Sequence, residues 1–293
     1  MKTVKPELSP GQEPDIHRVK GKGRKLITLT CLTLISLLFL YPLFLVFINS
    51  LKTYAQLLTD IFSLPAKVEW GNYPHVWGLM DYPRAFLNTL YVTVVGIAGI
   101  IFISSLAGYK LARTKTRFSH FLFMLCIAPM LVPFHTIMIA LTKVSRELYL
   151  IDSLTGLIVI YWGLGAPLAI FLYHGFVKSI PAELDEAAVM DGCTPFQVYS
   201  KIIFPLLKPI TTTIVVLDVL WIWNDFLLPL LMVNGQQSTK TLQLRAYQFF
   251  GQYVSEWQYV MAAIVMSVVP VVIFFLVMQK QIIKGIVSGA VKG

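Results

Sequence analysis

The sequence predicts an all-α polytopic membrane protein with six transmembrane helices, and three observations lead there. The composition is 56% hydrophobic and only 13% charged, about half the charged fraction of a soluble domain, so polar side chains are too few to cover a globule in water. Six apolar runs each approach the roughly 20 residues that about 30 Å of hydrocarbon requires of a helix. Lys and Arg alternate between rich and poor segments from one run to the next, seventeen of the 24 falling in one set.

Backbone groups in lipid must be satisfied within their own segment, so the runs predict helices; the alternating ten-residue strands of a membrane barrel are absent. The basic tail 1–25 precedes Leu26–Ile48, a run too long for the apolar region of a cleaved signal and read as the first span. A stretch of about 37 residues, Asn49–Ala85, leads to the second span, Leu87–Tyr109. The basic segment Lys110–Arg117 and the third span, Phe121–Leu141, follow, with Pro129 and Pro133 as candidate kinks. A short connection, Thr142–Ser153, joins the fourth span, Leu154–Gly175. The polar stretch 176–209 comes next, then the fifth span, Ile210–Val233. A segment of about 26 residues, Asn234–Tyr259, precedes the sixth span, Val260–Met278, and the tail 280–293. The transmembrane domain therefore covers 26–279. Cytoplasmic segments carry the excess of Lys and Arg, so both termini and the stretch 176–209 are expected inside.

The net charge of +9 does not predict a nucleic-acid partner, because the basic residues sit between apolar runs and not along one polar face. It predicts contact with membrane lipid. Cys31 and Cys126 lie in apolar runs and Cys193 in a polar one, so no disulfide framework is implied. The five histidines are scattered, none at metal-ligand spacing, and no metal site is expected.

The stretch 176–209 predicts two short helices. Pro181 suits a first helical position, and Glu183, Asp185 and Glu186 place negative charge at the positive end of the dipole. Gly192 supplies a left-handed stop. Thr194 and Gln197 form a capping box for the second helix, with Pro195 behind the cap. Phe196, Tyr199 and Ile203 give it one apolar face, and Pro205 ends it.

Glu186-Ala187-Ala188, then three residues, Gly192, nine residues, and Ile202-x-Phe204-Pro205 resembles the EAA loop of binding-protein-dependent ABC importer permeases, with Phe204 where the pattern usually has Leu. Phe86–Leu90, Ala107–Arg113, Trp223–Pro229 and the tail Gly285–Gly293 resemble the carbohydrate branch, that of the smaller permease subunit of maltose transporters.

The resemblance implies a type I importer transmembrane domain with a cytoplasmic coupling helix. Pro181, Glu183, Glu186, Ala187, Ala188, Asp191, Gly192 and Pro205 would then engage an ATPase subunit. It also implies a second permease subunit, two ABC ATPase subunits and an extracytoplasmic sugar-binding protein as partners. The sequence contains no Gly-x-x-x-x-Gly-Lys-Ser/Thr phosphate loop, so ATP and Mg are expected on the ATPase subunits and no cofactor on this chain.

Trp221, Asn224 and Asp225 are candidates for the substrate pathway, since aromatic and polar groups suit sugar faces and hydroxyls. An ionised Asp at mid-bilayer costs about 2.5–3.5 kcal/mol, so it faces either a polar path or a hydrogen-bonding neighbour helix, and both roles remain open. Tyr247, Gln252, Tyr253 and Trp257 are candidates for contact with the binding protein, or equally for an interfacial aromatic belt. The expected function is one permease half of a sugar importer, a transport subunit and not an enzyme. The alternative is a self-sufficient secondary transporter or channel, which Asp225 keeps open and the lack of an internal repeat disfavours.

Overall fold

The computed structural model describes residues 20–252 and 256–290, with side chains for 25–250 and 256–280. Every regular element among the described residues is helical. The first span is α1 (Lys20–Ser50), which begins inside the expected tail and carries Pro42. Its apolar side chains are exposed from Leu26 to Phe44, and only its last turn, Ile48 to Ser50, is buried. That is the surface a lipid-facing helix needs.

The stretch after α1 contains two helices, α2 (Tyr54–Thr59) and α3 (Asn72–Leu79). Asn72 Nδ2 donates to the Ser50 and Lys52 carbonyls, tying α3 to the end of α1. The fully buried Lys52 donates to the Asp60 carbonyl at 2.9 Å, and burial lowers the proton affinity of its amine.

The second span, α4 (Tyr82–Arg113), and the fourth, α7 (Leu154–Lys178), pack along each other and form the centre of the molecule. Small residues set their spacing. A β-carbon on Gly108 would lie 2.7 Å from Tyr173 Cβ and 3.1 Å from the His174 nitrogen, so only glycine admits this approach. Trp162 Nε1 donates to the Val95 carbonyl across the same interface.

The third span departs from the single helix expected over Phe121–Leu141. It is α5 (Arg117–Ile127), a 3-10 turn at Ala128–Leu131, and α6 (Phe134–Glu147), with a 103° bend. Pro129 and Pro133 remove two amide donors within five residues, and the helix cannot continue through both.

The two helices predicted in 176–209 are present as α8 (Glu183–Met190) and α9 (Pro195–Leu206). The fifth span is also broken. α9 meets α10 (Lys208–Asn224) at 71°, and α10 ends at Asp225, after which α11 (Leu227–Met232) begins. The expected run Ile210–Val233 is thus two helices. The segment expected as the last connection, Asn234–Tyr259, contains α12 (Leu242–Gln252). Its buried Leu242, Ala246 and Phe249 pack with Val76, Met80, Trp223 and Val260 in a second apolar cluster. α13 (Trp257–Ala290) runs past the predicted end of the sixth span into the expected tail. Among the described residues four helices are long and apolar enough to cross a bilayer, and six spans result if each bent pair crosses once.

Candidate functional site

Two regions gather the residues singled out by the sequence. The first is the surface of α8 and α9 at one end of the bundle. Gly192 adopts φ +84°, where it ends α8. Thr194 Oγ1 accepts from the Gln197 amide and Gln197 Oε1 accepts from the Thr194 amide, completing the capping box.

Other local expectations need correction. Pro181 precedes α8 by two residues and is not at its first position; Ala182 is the cap, so Glu183 opens the helix. Pro205 does not end α9, which runs to Leu206. A π-helical stretch at Val198–Ile203 comes just before it, and wider i→i+5 pairing accommodates the missing donor of Pro205. The turn falls at Leu207. Tyr199 and Ile203 are buried, whereas Phe196, its ring 6.4 Å from that of Tyr199, is 67% exposed at the outer edge of their face.

α8 has two unlike sides. Asp185 and the 4% exposed Ala188 turn toward the bundle. Glu183, Glu186, Ala187 and Asp191 are exposed, as are Val189 and Met190, the latter 87% exposed. Phe196 extends this apolar edge from the start of α9. Pro205 is exposed at the far end of α9.

The second region lies where both broken spans meet α7. A cavity of about 280 Å³ is lined by Pro129, Met130, Pro167, Trp221, Asp225 and Leu228, among others. The breaks create it: the turn at Ala128–Leu131 supplies one wall and the interruption at Asp225 another. Asp225 Oδ2 accepts from the Tyr161 hydroxyl at 2.9 Å. Its Oδ1 accepts from the amides of Leu227 at 3.0 Å and Leu228 at 3.4 Å, which caps α11. Trp221 packs edge-on to Tyr161 with centroids 5.4 Å apart.

Trp221 and Asp225 are therefore together on the cavity. Asn224 is not with them. It is exposed, and its amide donates to the Leu220 carbonyl of its own helix at 2.7 Å. The sequence reading missed Tyr161. Tyr161 lies 64 residues from Asp225 and no local pattern joins them; Pro129 and Pro133 were the available signal for the break.

Tyr247 lies on α12 rather than in a loop and packs against Phe226, the rings tilted by 43° with centroids 4.2 Å apart. Gln252 closes α12 and is described in its backbone only, and Tyr253 lies outside the described residues. Trp257 opens α13 and is 42% exposed. Near them Lys240 and Arg245 are largely buried; burial lowers the proton affinity of both, and the charge of Arg245 lowers that of Lys240 further.

Residues 99–288 match the family model of the binding-protein-dependent transport system inner membrane component. The chain is 40% identical over 258 residues to the "Probable starch degradation products transport system permease protein" of Thermoanaerobacterium thermosulfurigenes, covering 88% of this chain and 93% of that one. It is 36% identical to the multiple sugar-binding transport system permease protein of Streptococcus mutans, over 89% of this chain and 95% of that one. It is 33% identical to the melibiose/raffinose/stachyose import permease protein of Bacillus subtilis, over 95% of this chain and all of that one. A crystal structure of a bacterial ABC transporter involved in the import of the acidic polysaccharide alginate contains a chain of the same fold. The TM-score is 0.75 at 24% identity, with 92% of this chain and 99% of that chain covered. The bent spans, the paired helices α8 and α9 and the match over 99–288 lead to one assignment: this chain belongs to the family of binding-protein-dependent transport system inner membrane components.

Proposed function

We propose that this chain is one permease half of an ABC importer for a sugar of the oligosaccharide class, driven through the exposed face of α8. That face is the observation that carries the reading. Outside the predicted spans, a helix presenting Glu186, Ala187, Val189 and Met190 together has left apolar surface without a neighbour among the described residues. Two small residues in the EAA segment permit close approach, and Glu186 offers a carboxylate to a basic group. Pro181, Glu183, Ala188, Asp191, Gly192 and Pro205 shape or border the same surface.

In this reading α8 lies on the cytoplasmic side with both termini, as the Lys and Arg asymmetry supports. It docks on one of two ABC ATPase subunits. Those subunits bind ATP and Mg, and this chain binds neither. A second, homologous permease half completes the pathway, and an extracytoplasmic binding protein delivers the sugar to the end bearing Tyr247, Gln252 and Trp257. ATP-driven closure of the ATPase pair favours one of two arrangements of the membrane helices, a population shift by differential binding.

The cavity at Trp221 and Asp225 is the proposed sugar path on this half. Two observations support a sugar: an aromatic face beside a carboxylate on a cavity wall, and relatives whose names include starch degradation products, multiple sugars and raffinose-type saccharides.

The test is purification of the chain in mild detergent with its companions, followed by ATP hydrolysis assays with and without sugar-loaded binding protein. A second permease and an ATPase should co-purify, and loaded binding protein should stimulate hydrolysis. Glu186→Ala and Gly192→Val should leave the chain inserted and remove the stimulation. A homo-oligomer without an ATPase, under conditions that preserve other membrane complexes, would refute the proposal.

A further inference from the structure

One face of α4 holds both arms of the loop that carries α8 and α9. Ser105, Tyr109 and Arg113 are spaced four apart, so they form a single stripe along the last turns of α4. The fully buried Ser105 shares a 2.7 Å hydrogen bond with the Tyr199 hydroxyl of α9. The Tyr109 ring lies 5.6 Å from that of Tyr199. Arg113 forms an ion pair with Asp185 of α8, and both side chains are more than four-fifths shielded from solvent.

Arg113 does more than pair. Its guanidinium also donates to the Ile180 carbonyl at 3.0 Å, and to those of Val177 and Pro181 at 3.4 Å. These carbonyls belong to the last turn of α7 and the link to α8, where helical donors have run out and the dipole is negative. A guanidinium fork can serve a carboxylate and several carbonyls at once, whereas an ammonium is a single charged point. Arg113 therefore joins α4, α7 and α8 at one locus.

The other end of α4 is fastened as well. Asn88 Nδ2 donates to the carbonyls of Ser238 and Lys240, and Thr89 Oγ1 accepts from the Leu242 amide at the start of α12. α4 has no proline beyond its first turn, and over 32 residues it runs from one loop system to the other. Among the bundle helices it alone is fixed by side-chain bonds to both the α8–α9 loop and the α11–α12 connection, among the described residues.

We propose that the Ser105–Tyr109–Arg113 stripe is the link through which movement of α8 reaches the transmembrane helices, with Arg113 as the positioning residue that fixes α8 to α4. This rests on the reading of α8 as the ATPase-docking helix. α8 moves as one body with α4 because Arg113, Tyr109 and Tyr199 bind both arms of its loop to the same helix face. Breaking the stripe leaves α8 free to follow the ATPase while α4 stays behind.

The experiment uses the complete transporter in lipid nanodiscs, with Arg113→Gln, Asp185→Asn, the double variant, Arg113→Lys and Tyr199→Phe. Three quantities are read: the ATPase subunit that co-purifies, basal hydrolysis, and the increment caused by sugar-loaded binding protein. Arg113→Gln and Asp185→Asn should each lower the increment about tenfold, within the range of an allosteric coupling energy, while basal hydrolysis and subunit stoichiometry stay unchanged. The double variant should be no worse than the poorer single one, because both remove the same contact. Arg113→Lys should recover only part of the increment, which a purely electrostatic role would not predict.

Wild-type stimulation in the single variants overturns the proposal, as does multiplication of the two defects. Loss of the ATPase subunit on purification also overturns it, since Arg113 would then serve docking and not transmission. Should Arg113→Gln fail to insert, Arg113→Lys and Tyr199→Phe decide the matter by the same increment, and wild-type stimulation in both refutes the link. Gly192→Val separates the two levels. Lost stimulation there, with the Arg113 and Asp185 variants intact, defeats only this inference. Intact stimulation in Gly192→Val as well defeats the docking reading itself.

Discussion

Replacing Asp225 by alanine should destabilise the chain more than any other single change at the cavity, and the cost follows from three hydrogen bonds. The carboxylate accepts from the Tyr161 hydroxyl and from the first two amides of α11. Tyr161 is fully buried, so its hydroxyl would be left without a partner, a penalty of about 1–3 kcal/mol. Loss of the cap on α11 adds about 1 kcal/mol, for a sum of roughly 2–4 kcal/mol. Tyr161→Phe removes only one of the three bonds and leaves the carboxylate with both amides, so about 1–2 kcal/mol is expected. Asp225→Asn keeps an acceptor and should cost least. Equilibrium unfolding in mixed micelles of rising SDS content measures these differences directly. Stability of Asp225→Ala within about 0.5 kcal/mol of the wild type would refute the capping role, because that is the range of an ordinary surface change. So would a larger loss in Tyr161→Phe than in Asp225→Ala. The same series separates structure from transport: Asp225→Asn with near-normal stability but no sugar-stimulated hydrolysis would mean that the charge itself faces the sugar path.

Three further outcomes are expected. Gly108→Leu should prevent α4 and α7 from closing and halve or abolish membrane-inserted, folded protein. Gly108→Ala should cost about 1–3 kcal/mol, less than Gly108→Leu, because its β-carbon meets Tyr173 Cβ and the His174 backbone and the helices must shift apart; micelle unfolding distinguishes them. Thr194→Ala should cost about 1 kcal/mol and raise amide exchange over 195–198, read by hydrogen–deuterium exchange, because the Gln197 amide loses its Oγ1 acceptor. Trp221→Ala should lower sugar-stimulated hydrolysis while leaving basal hydrolysis and folding intact. Trp221 is 39% exposed on the cavity, so its removal opens little new buried space.

What the sequence made legible was chemistry that acts within a few residues. The capping box of Thr194 and Gln197 needs only its own turn, and the left-handed conformation of Gly192 needs only the absence of a β-carbon, so both were readable without the fold. Apolar length likewise located the spans. The failures share a different cause: each depends on groups far apart in the chain or on competition between local rules. Pro205 read as a stop, yet a π-helical stretch absorbed it, because tertiary burial of Tyr199 and Ile203 holds α9 in place on both sides of the defect. Trp221, Asn224 and Asp225 read as candidates for one path, yet Asn224, the last residue of α10, is exposed and spends its amide on the Leu220 carbonyl of its own helix. Arg113 and Asp185 stand 72 positions apart, and nothing in either neighbourhood announces the pair. The polar contacts of Tyr161 and Arg113 therefore carry information that periodicity cannot hold. They specify which helices are tied to which, and under the proposed coupling that relation sets which helix follows α8. The bundle is connected by a few such bonds at the ends of α4 and at the break in the fifth span, between long apolar stretches that any register of similar volume would satisfy. Substitutions at those bonds should therefore change coupling more than insertion, and substitutions along the apolar stretches should do the reverse.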